Sequence, residues 1–86
     1  MAKKADDCGK FLVIQCTAAE MRRAVGSPGI CDWCGKRKPS GYYIAVLNRW
    51  YCPACYPQWR IRAEYCPQDR VVEEKNYRMY ARLLGL

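Results

Sequence analysis

The 86-residue chain contains no histidine. Histidine is the commonest general base in enzymes and a frequent zinc ligand, so its absence excludes histidine-based catalysis and every mixed cysteine–histidine metal site. A metal ion would have to be held by thiolates or carboxylates. The sequence also lacks a paired-carboxylate motif, a nucleophile–base set and a phosphate-binding loop. We therefore expect a protein that is not an enzyme.

Long apolar segments are also missing. The only N-terminal apolar run covers residues 11–14, which is too short for a signal-peptide core or a membrane-spanning helix. Seven cysteines are present, but an odd number that includes four at metal-ligand spacing does not favour a secreted disulfide framework. We expect a cytoplasmic protein in a reducing environment, with no membrane partner.

Acidic side chains are absent from residues 36–62. This stretch carries six basic residues, namely Lys36, Arg37, Lys38, Arg49, Arg60 and Arg62. The formal net charge of the chain is +7, whereas residues 64–86 contain four acidic and four basic side chains. Four thiolates and one Zn²⁺ together carry two negative charges, which leaves about +5 in a metal-bound form. The charge predicts an anionic partner, either nucleic acid or an acidic protein, and no small-molecule substrate.

Four cysteines form two matched pairs, Cys31 with Cys34 and Cys52 with Cys55. Two residues separate the cysteines of each pair, so both sulfurs can reach one ion, and the 17 residues between the pairs suffice for a hairpin. We predict one Zn²⁺ per chain held by these four thiolates, with iron as the alternative metal. Four protein ligands leave no open position for an activated water.

The remaining pattern predicts helices and strands on both sides of the cysteine pairs. Thr17 and Glu20 form a capping box, which marks the start of a helix ending near Val25. Asn48 and Arg49 are the predicted hairpin turn. We expect strands over 10–16, 42–47 and 50–52, helices over 57–65 and 72–84, and a frayed N-terminus over residues 1–9. In the last helix Tyr77, Tyr80, Ala81 and Leu84 share one face.

The order of a cysteine knuckle, a hairpin and a second cysteine pair leading into a helix resembles a treble-clef zinc finger. The motifs are Cys31–Gly35, the hairpin over 42–51, and Cys52–Cys55 before the helix with Trp59. The resemblance spans residues 31–65. It implies a zinc site and an architecture but no single activity, because treble clefs include GATA-type nucleic-acid binders, LIM-like adaptors, ribosomal proteins and nucleases. Rubredoxin-like knuckles and zinc ribbons are the nearest alternatives, although they place a glycine where this chain has Tyr56.

Two other interpretations of the cysteines remain open. The Cys52–Cys55 motif between a strand and a helix is typical of a thioredoxin-like redox pair, but that function would leave the first pair unexplained. Cys8, Cys16 and Cys66 are irregularly spaced, and we predict that they are not ligands of a second metal.

Trp33, Trp50 and Trp59, together with the basic run, would suit a nucleic-acid surface, since aromatic rings stack on bases while cations bind phosphates. The alternative is that these rings form the core, because the chain has one phenylalanine. We expect at least two of the three to be core residues. Lys36, Arg37 and Lys38 have an alternative role as well, which is to offset the negative charge of the metal site.

We predict a single domain over residues 1–86 of the small α+β class. A zinc module at 30–66 is flanked by an N-terminal strand–helix unit and the C-terminal helix at 72–84. Its predicted function is nucleic-acid binding through a basic, aromatic surface of the zinc module rather than through the C-terminal helix. The alternatives are a protein–protein adaptor with a structural zinc and, more remotely, a rubredoxin-like or thiol redox protein. The sequence does not determine the oligomeric state.

Overall fold

A computed structural model describes residues 2–5 and 11–86. These residues form an α+β fold built on an antiparallel sheet of four strands in the order β1-β2-β3-β4. The strands are β1 (Lys3–Ala5), β2 (Val13–Thr17), β3 (Ser40–Ile44) and β4 (Arg49–Tyr51). The helices are α1 (Ala18–Val25), α2 (Cys55–Arg62) and α3 (Arg70–Leu83), with a short 3-10 turn at Pro67–Asp69.

Strand β1 differs from the sequence-based expectation of a frayed N-terminus. It pairs with β2, with Lys3 opposite Gln15 and Ala5 opposite Val13. Both lysines of β1 are exposed, as is common on edge strands, so no alternation of apolar side chains marks this strand in the sequence. The rest of the predicted frayed segment, residues 1 and 6–10, lies outside the described residues.

Helix α1 begins at the predicted capping box. The Glu20 amide donates to Thr17 Oγ1 at 3.1 Å, and the Thr17 amide donates to Glu20 Oε1 at 2.8 Å. The helix ends at Gly26, whose left-handed backbone (φ of 73°) closes the last turn. The strand–helix unit predicted before the cysteine pairs is therefore confirmed, although β2 begins at Val13 rather than at residue 10.

The hairpin of β3 and β4 turns at residues 45–48, so the predicted turn at Asn48 and Arg49 is correct for Asn48 only, and Arg49 already begins β4. Asn48 has a φ of 55°, a left-handed conformation that asparagine tolerates better than most residues. Its side chain also accepts a hydrogen bond from the Tyr43 hydroxyl at 2.7 Å. The first strand ends at Ile44, earlier than predicted, because residues 45–48 form the turn.

Helix α2 begins at Cys55, so the predicted start at Pro57 is wrong. Pro57 is the third residue of the helix, where a backbone N–H has no partner within the helix and its loss costs little. The helix ends at Arg62, before the predicted end at Tyr65, because Ala63 is extended (ψ of 134°). This earlier start places Cys55 in the first helical turn.

Two apolar clusters cover the two faces of the sheet. Neighbouring strand residues point to opposite sides, so Val13 and Ile44 face one cluster while Ile14 and Tyr43 face the other. We call the first the metal face; its buried members are Phe11, Val13, Cys31, Ile44, Tyr51, Cys52, Cys55 and Tyr56. We call the second the helical face; its buried members are Ala2, Ile14, Cys16, Met21, Tyr43, Ala45 and Trp50.

Helix α3 covers the helical face with the side chains predicted to share one side. Tyr77, Tyr80, Ala81 and Leu84 all pack against this cluster, which confirms that prediction. The rings of Tyr80 and Tyr43 stack with centroids 3.8 Å apart and planes 12° apart. The helix begins at Arg70 and ends at Leu83, so it starts earlier than the predicted boundary at residue 72.

Two long-range hydrogen bonds join α3 to the sheet layer. Glu73 is only 1% exposed and accepts a hydrogen bond from the Leu12 amide at 2.8 Å. Asn76 donates to the carbonyl of Ala45 at 2.9 Å. A buried carboxylate costs free energy unless it is paired, and the partners of Glu73 among the described residues are this amide and an Arg70 nitrogen at 3.7 Å. The helix is therefore oriented by polar contacts as well as by its tyrosines.

Across the described ranges, no helix combines the length and the apolar character that a membrane crossing would require.

Candidate metal centre

The first cysteine pair lies at the tip of a short antiparallel ribbon, residues 29–38, which we call the knuckle hairpin. Ile30 and Arg37 pair across it, and the Lys38 amide donates to the carbonyl of Gly29 at 3.2 Å. At the tip, the Gly35 amide donates to the carbonyl of Cys31 at 2.9 Å. Gly35 has a φ of 72°, so the turn requires a residue that adopts the left-handed region without strain.

The second pair lies where β4 gives way to α2. Cys52 follows the last residue of the strand, and Cys55 is the first residue of the helix. The Tyr56 amide donates to the carbonyl of Cys52 at 2.9 Å, which closes the turn between strand and helix. A thiolate on Cys55 would lie at the positive end of the helix dipole, which favours negative charge.

The fold brings all four predicted ligands together. Their sulfurs lie within 4.8 Å of one another, and those of Cys34 and Cys52 are 4.0 Å apart. A tetrahedron of Zn–S bonds about 2.3 Å long has sulfurs roughly 3.8 Å apart, so a small contraction would seat the ion. The four thiol donors therefore fit a tetrahedral thiolate site, and this donor set suits zinc and iron alike.

Backbone amides surround one of the four sulfurs. The amides of Trp33 and Cys52 each donate to Cys31 Sγ at 3.3 Å. Burial opposes ionisation of Cys31, but backbone donors outweigh it and lower the thiol pKa from 9.0 to about 6. These N–H groups would equally stabilise a metal-bound thiolate.

The pKa of Cys55, the fourth predicted ligand, is shifted in the opposite direction. Burial, together with the neighbouring cysteine sulfurs, raises the pKa of Cys55 from 9.0 to about 12. A thiolate on Cys31 repels a second negative charge nearby, so the cluster holds a full set of thiolates only when a cation offsets them. Metal binding should therefore release protons.

Asp32 connects the knuckle hairpin to the sheet. Its amide donates to the carbonyl of Trp50 at 2.9 Å, and its carboxylate accepts from the Trp50 amide at 2.9 Å. The residue thus takes the place of a strand partner along the outer edge of β4. The sequence alone does not predict this contact, because Asp32 and Trp50 are 18 positions apart in the chain.

The other cysteines lie away from the four-sulfur cluster. Cys16 is buried on the helical face, across the sheet from the metal face, and Cys66 is exposed ahead of the 3-10 turn. The group of four is the only set of potential metal ligands found in residues 2–5 and 11–86. Cys8, the third cysteine predicted not to bind metal, lies outside the described residues.

The six basic residues proposed from sequence as nucleic-acid contacts fall in several places. Lys36, Arg37 and Lys38 follow the knuckle, with the first two exposed and Lys38 half-buried. Arg49 is exposed at the start of β4. Two arginines of α2 lie over aromatic rings, Arg60 at 5.0 Å from the Phe11 centroid and Arg62 at 4.9 Å from the Trp33 centroid.

The three tryptophans have different environments. Trp50 is buried on the helical face, and Trp59 is partly buried against the metal face. Trp33, between the first two ligands, remains 43% exposed. Its ring meets Tyr51 edge to face with centroids 5.5 Å apart. Trp33 is therefore a large aromatic side chain held at the surface by the knuckle hairpin.

Comparisons of the chain with protein-family models, with curated proteins and with solved structures found no match. A proposal for the function of this chain therefore depends on the geometry of the four cysteines and on the chemistry of the surface around them.

Proposed function

We propose that Cys31, Cys34, Cys52 and Cys55 bind one structural Zn²⁺, and that the resulting module is a nucleic-acid-binding domain of the treble-clef type. The observation that supports the metal is the convergence of four sulfurs from two separate segments within 4.8 Å. The order of knuckle, hairpin and helix around them supports the treble-clef assignment. Zinc supplies structure rather than chemistry here, since four protein ligands leave no position for a substrate or an activated water. Binding rather than catalysis follows from this closed coordination, and a reducing cytoplasm would keep the thiols available.

The observation that supports nucleic acid as the partner is the exposed ring of Trp33 beside Arg62. The backbone amide of Trp33 donates to the sulfur of Cys31, so metal binding by Cys31 would fix the position of the ring. The guanidinium of Arg62 lies 4.9 Å from its centroid, which places a cation next to a stacking surface. Aromatic side chains that stack on bases beside cations that bind phosphates are the usual means of binding single strands. The absence of acidic residues over 36–62 removes a source of repulsion.

A labelled single-stranded oligonucleotide titrated at two salt concentrations tests this function. We expect binding that weakens with salt, by roughly 0.7 in log–log slope per phosphate contacted. Trp33→Ala should lower affinity by about 5- to 150-fold, since stacking contributes ~1–3 kcal/mol per base. Trp33→Phe is the matched control, because it keeps an aromatic face and should retain most of the affinity. Absence of binding at low salt, in protein with full zinc content, would contradict the proposal.

A protein–protein adaptor is the second candidate, and the outer side of α3 favours it. Met79 is 48% exposed and Leu83 47% exposed on that side. Lys75, Arg78 and Arg82 lie around them. The opposite side of the helix, with Tyr77, Tyr80 and Leu84, packs against the sheet. Met79→Gln with Leu83→Gln should abolish binding to an acidic protein partner and leave oligonucleotide affinity unchanged.

A further inference from the structure

A basic cleft lies at the base of the knuckle hairpin, on the side of α1. Its volume is about 340 Å³. Three cations line it, Arg22 from α1 and Arg37 with Lys38 from the second stem of the hairpin. Among residues 2–5 and 11–86, no carboxylate contributes to its walls. The cleft thus collects positive charge from two segments that are separate in sequence.

The walls of the cleft are held by close backbone contacts. The Ala18 amide donates to the carbonyl of Pro39 at 2.9 Å, which joins the start of α1 to the second stem. Gly29, on the first stem, has a φ of 75°, and a Cβ there would lie 2.7 Å from the Cβ of Ala18. Only glycine allows the hairpin to approach α1 this closely. The position of the hairpin against α1, and with it the cleft between them, is therefore fixed by the backbone.

The three cations have no carboxylate partner within the described ranges, where the one ion pair joins Arg70 to Glu73. Like charges lining one concavity repel one another, although water and salt weaken the repulsion here because Arg22 and Arg37 are exposed. An anion bound in the cleft would relieve it. Arginine binds phosphate oxygens in a bidentate manner, and lysine adds a compact charge. A tetrahedral oxyanion is the ligand that this combination suits best.

We propose that this cleft binds a backbone phosphate of a single-stranded nucleic acid. The same strand would extend from the cleft to Trp33, where a base stacks on the ring. This inference rests on the proposed nucleic-acid function. The knuckle hairpin connects the two places, with Lys38 at its base and Trp33 at its tip. At about 3.3 Å per extended residue, the separation is roughly 10–15 Å. A single strand of a few nucleotides would span this distance.

A pair of neighbouring substitutions on α1 tests the cleft. Arg22→Gln removes a lining cation, and Arg23→Gln removes the same charge from an exposed residue outside the cleft. Both are titrated with a labelled single-stranded hexanucleotide at two salt concentrations, after zinc content and circular dichroism have shown that each variant is folded. We expect Arg22→Gln to weaken binding about tenfold and to lower the log–log salt slope by about 0.7. Arg23→Gln should change the affinity by less than about twofold, and Lys38→Gln should behave like Arg22→Gln.

The outcomes separate the cleft from the broader function. If the hexanucleotide binds and Arg22→Gln has the same small effect as Arg23→Gln, the cleft proposal is wrong while nucleic-acid binding stands. If no variant and no wild-type protein binds the hexanucleotide at low salt, both proposals are overturned. Combining Arg22→Gln with Trp33→Ala should give losses that multiply, because the two contacts lie at opposite ends of the hairpin.

Discussion

The two faces of the sheet are closed by different means. On the helical face, α3 supplies two tyrosines, an alanine and a leucine, and a tyrosine pair stacks at 3.8 Å. On the metal face, three of the eight buried residues are the predicted ligands Cys31, Cys52 and Cys55. One face is thus an ordinary apolar core, whereas the other includes thiols that would need a cation to offset their charge if all were ionised. The same strands, β2 to β4, supply side chains to both.

This difference shows how an 86-residue chain can fold with two small cores. A chain of this size buries too little apolar surface for a wide margin of stability, and a metal bound by the four thiolates would supply the remainder. Because the strands are shared, neither face should persist without the other.

Removing a metal ligand should have the largest effect. Cys52→Ser is expected to abolish zinc binding and unfold both faces together, since such sites contribute on the order of 10 kcal/mol to folding. Zinc analysis, circular dichroism and hydrogen exchange of the α3 amides measure the outcome. Replacing Cys8, Cys16 and Cys66 by alanine is the control, and should keep one zinc per chain. Native exchange protection in α3 of the Cys52→Ser protein would show that the helical face folds by itself.

A smaller effect is expected where α3 meets the sheet layer. Glu73→Ala leaves the buried Leu12 amide without its acceptor, which should cost about 1–3 kcal/mol of unfolding free energy. Glu73→Gln keeps an acceptor oxygen and is expected to cost less than the alanine variant. Urea denaturation of the zinc-bound protein measures both. Equal losses in the two variants would mean that the carboxylate charge, rather than the hydrogen bond, holds the helix.

The link between the knuckle hairpin and β4 should contribute about 1 kcal/mol. Asp32→Ala removes the side-chain acceptor of the Trp50 amide, so the knuckle would be less firmly placed against the sheet. Asp32→Asn keeps a side-chain oxygen and serves as the control. Competition with a chromogenic chelator should show a weaker zinc affinity for the alanine variant than for the asparagine variant. Identical affinities would show that the metal site is insensitive to this contact.

The smallest effect concerns Cys16 and Cys66, two of the three cysteines predicted not to bind metal, which should differ in reactivity. Burial raises the pKa of Cys16 from 9.0 to about 11, so its thiol stays protonated below that range, and alkylation requires the thiolate. This raised pKa contributes stability that is present in full below pH 9 and is lost as the pH rises through 11. At pH 8, native zinc-bound protein carrying Cys8→Ser should be alkylated at Cys66 and not at Cys16. Mass spectrometry of the labelled peptides checks this, and rapid labelling of Cys16 would mean that the helical face opens readily.

Features that depend on neighbours in sequence were predictable. The capping box of Thr17 and Glu20, the turn at Asn48 and the convergence of the cysteine pairs follow from local rules of hydrogen bonding, backbone freedom and ligand reach. The start of α2 differs from the prediction because of Pro57. Proline destabilises the interior of a helix, but the first helical turn tolerates it, so the helix begins before this residue.

Features that depend on distant contacts could not be predicted in the same way. Strand β1 is recognisable only through its pairing with β2, since its own side chains carry no apolar alternation. Glu73 looks like a solvent-exposed residue of an amphipathic helix until the position of the Leu12 amide is known. The separation of the six basic residues into different places likewise follows from the path of the knuckle hairpin rather than from their order.

The contact of Asp32 with Trp50 also affects how copies of the chain meet one another. An open sheet edge is a template for strands of other molecules, and proteins protect such edges with charges or with covering segments. Here Lys3 and Lys4 place charge on the β1 edge, while the knuckle hairpin occupies backbone groups of β4 through Asp32. Loss of zinc would uncover the second edge, so the metal-free chain should form aggregates that the zinc-bound chain resists.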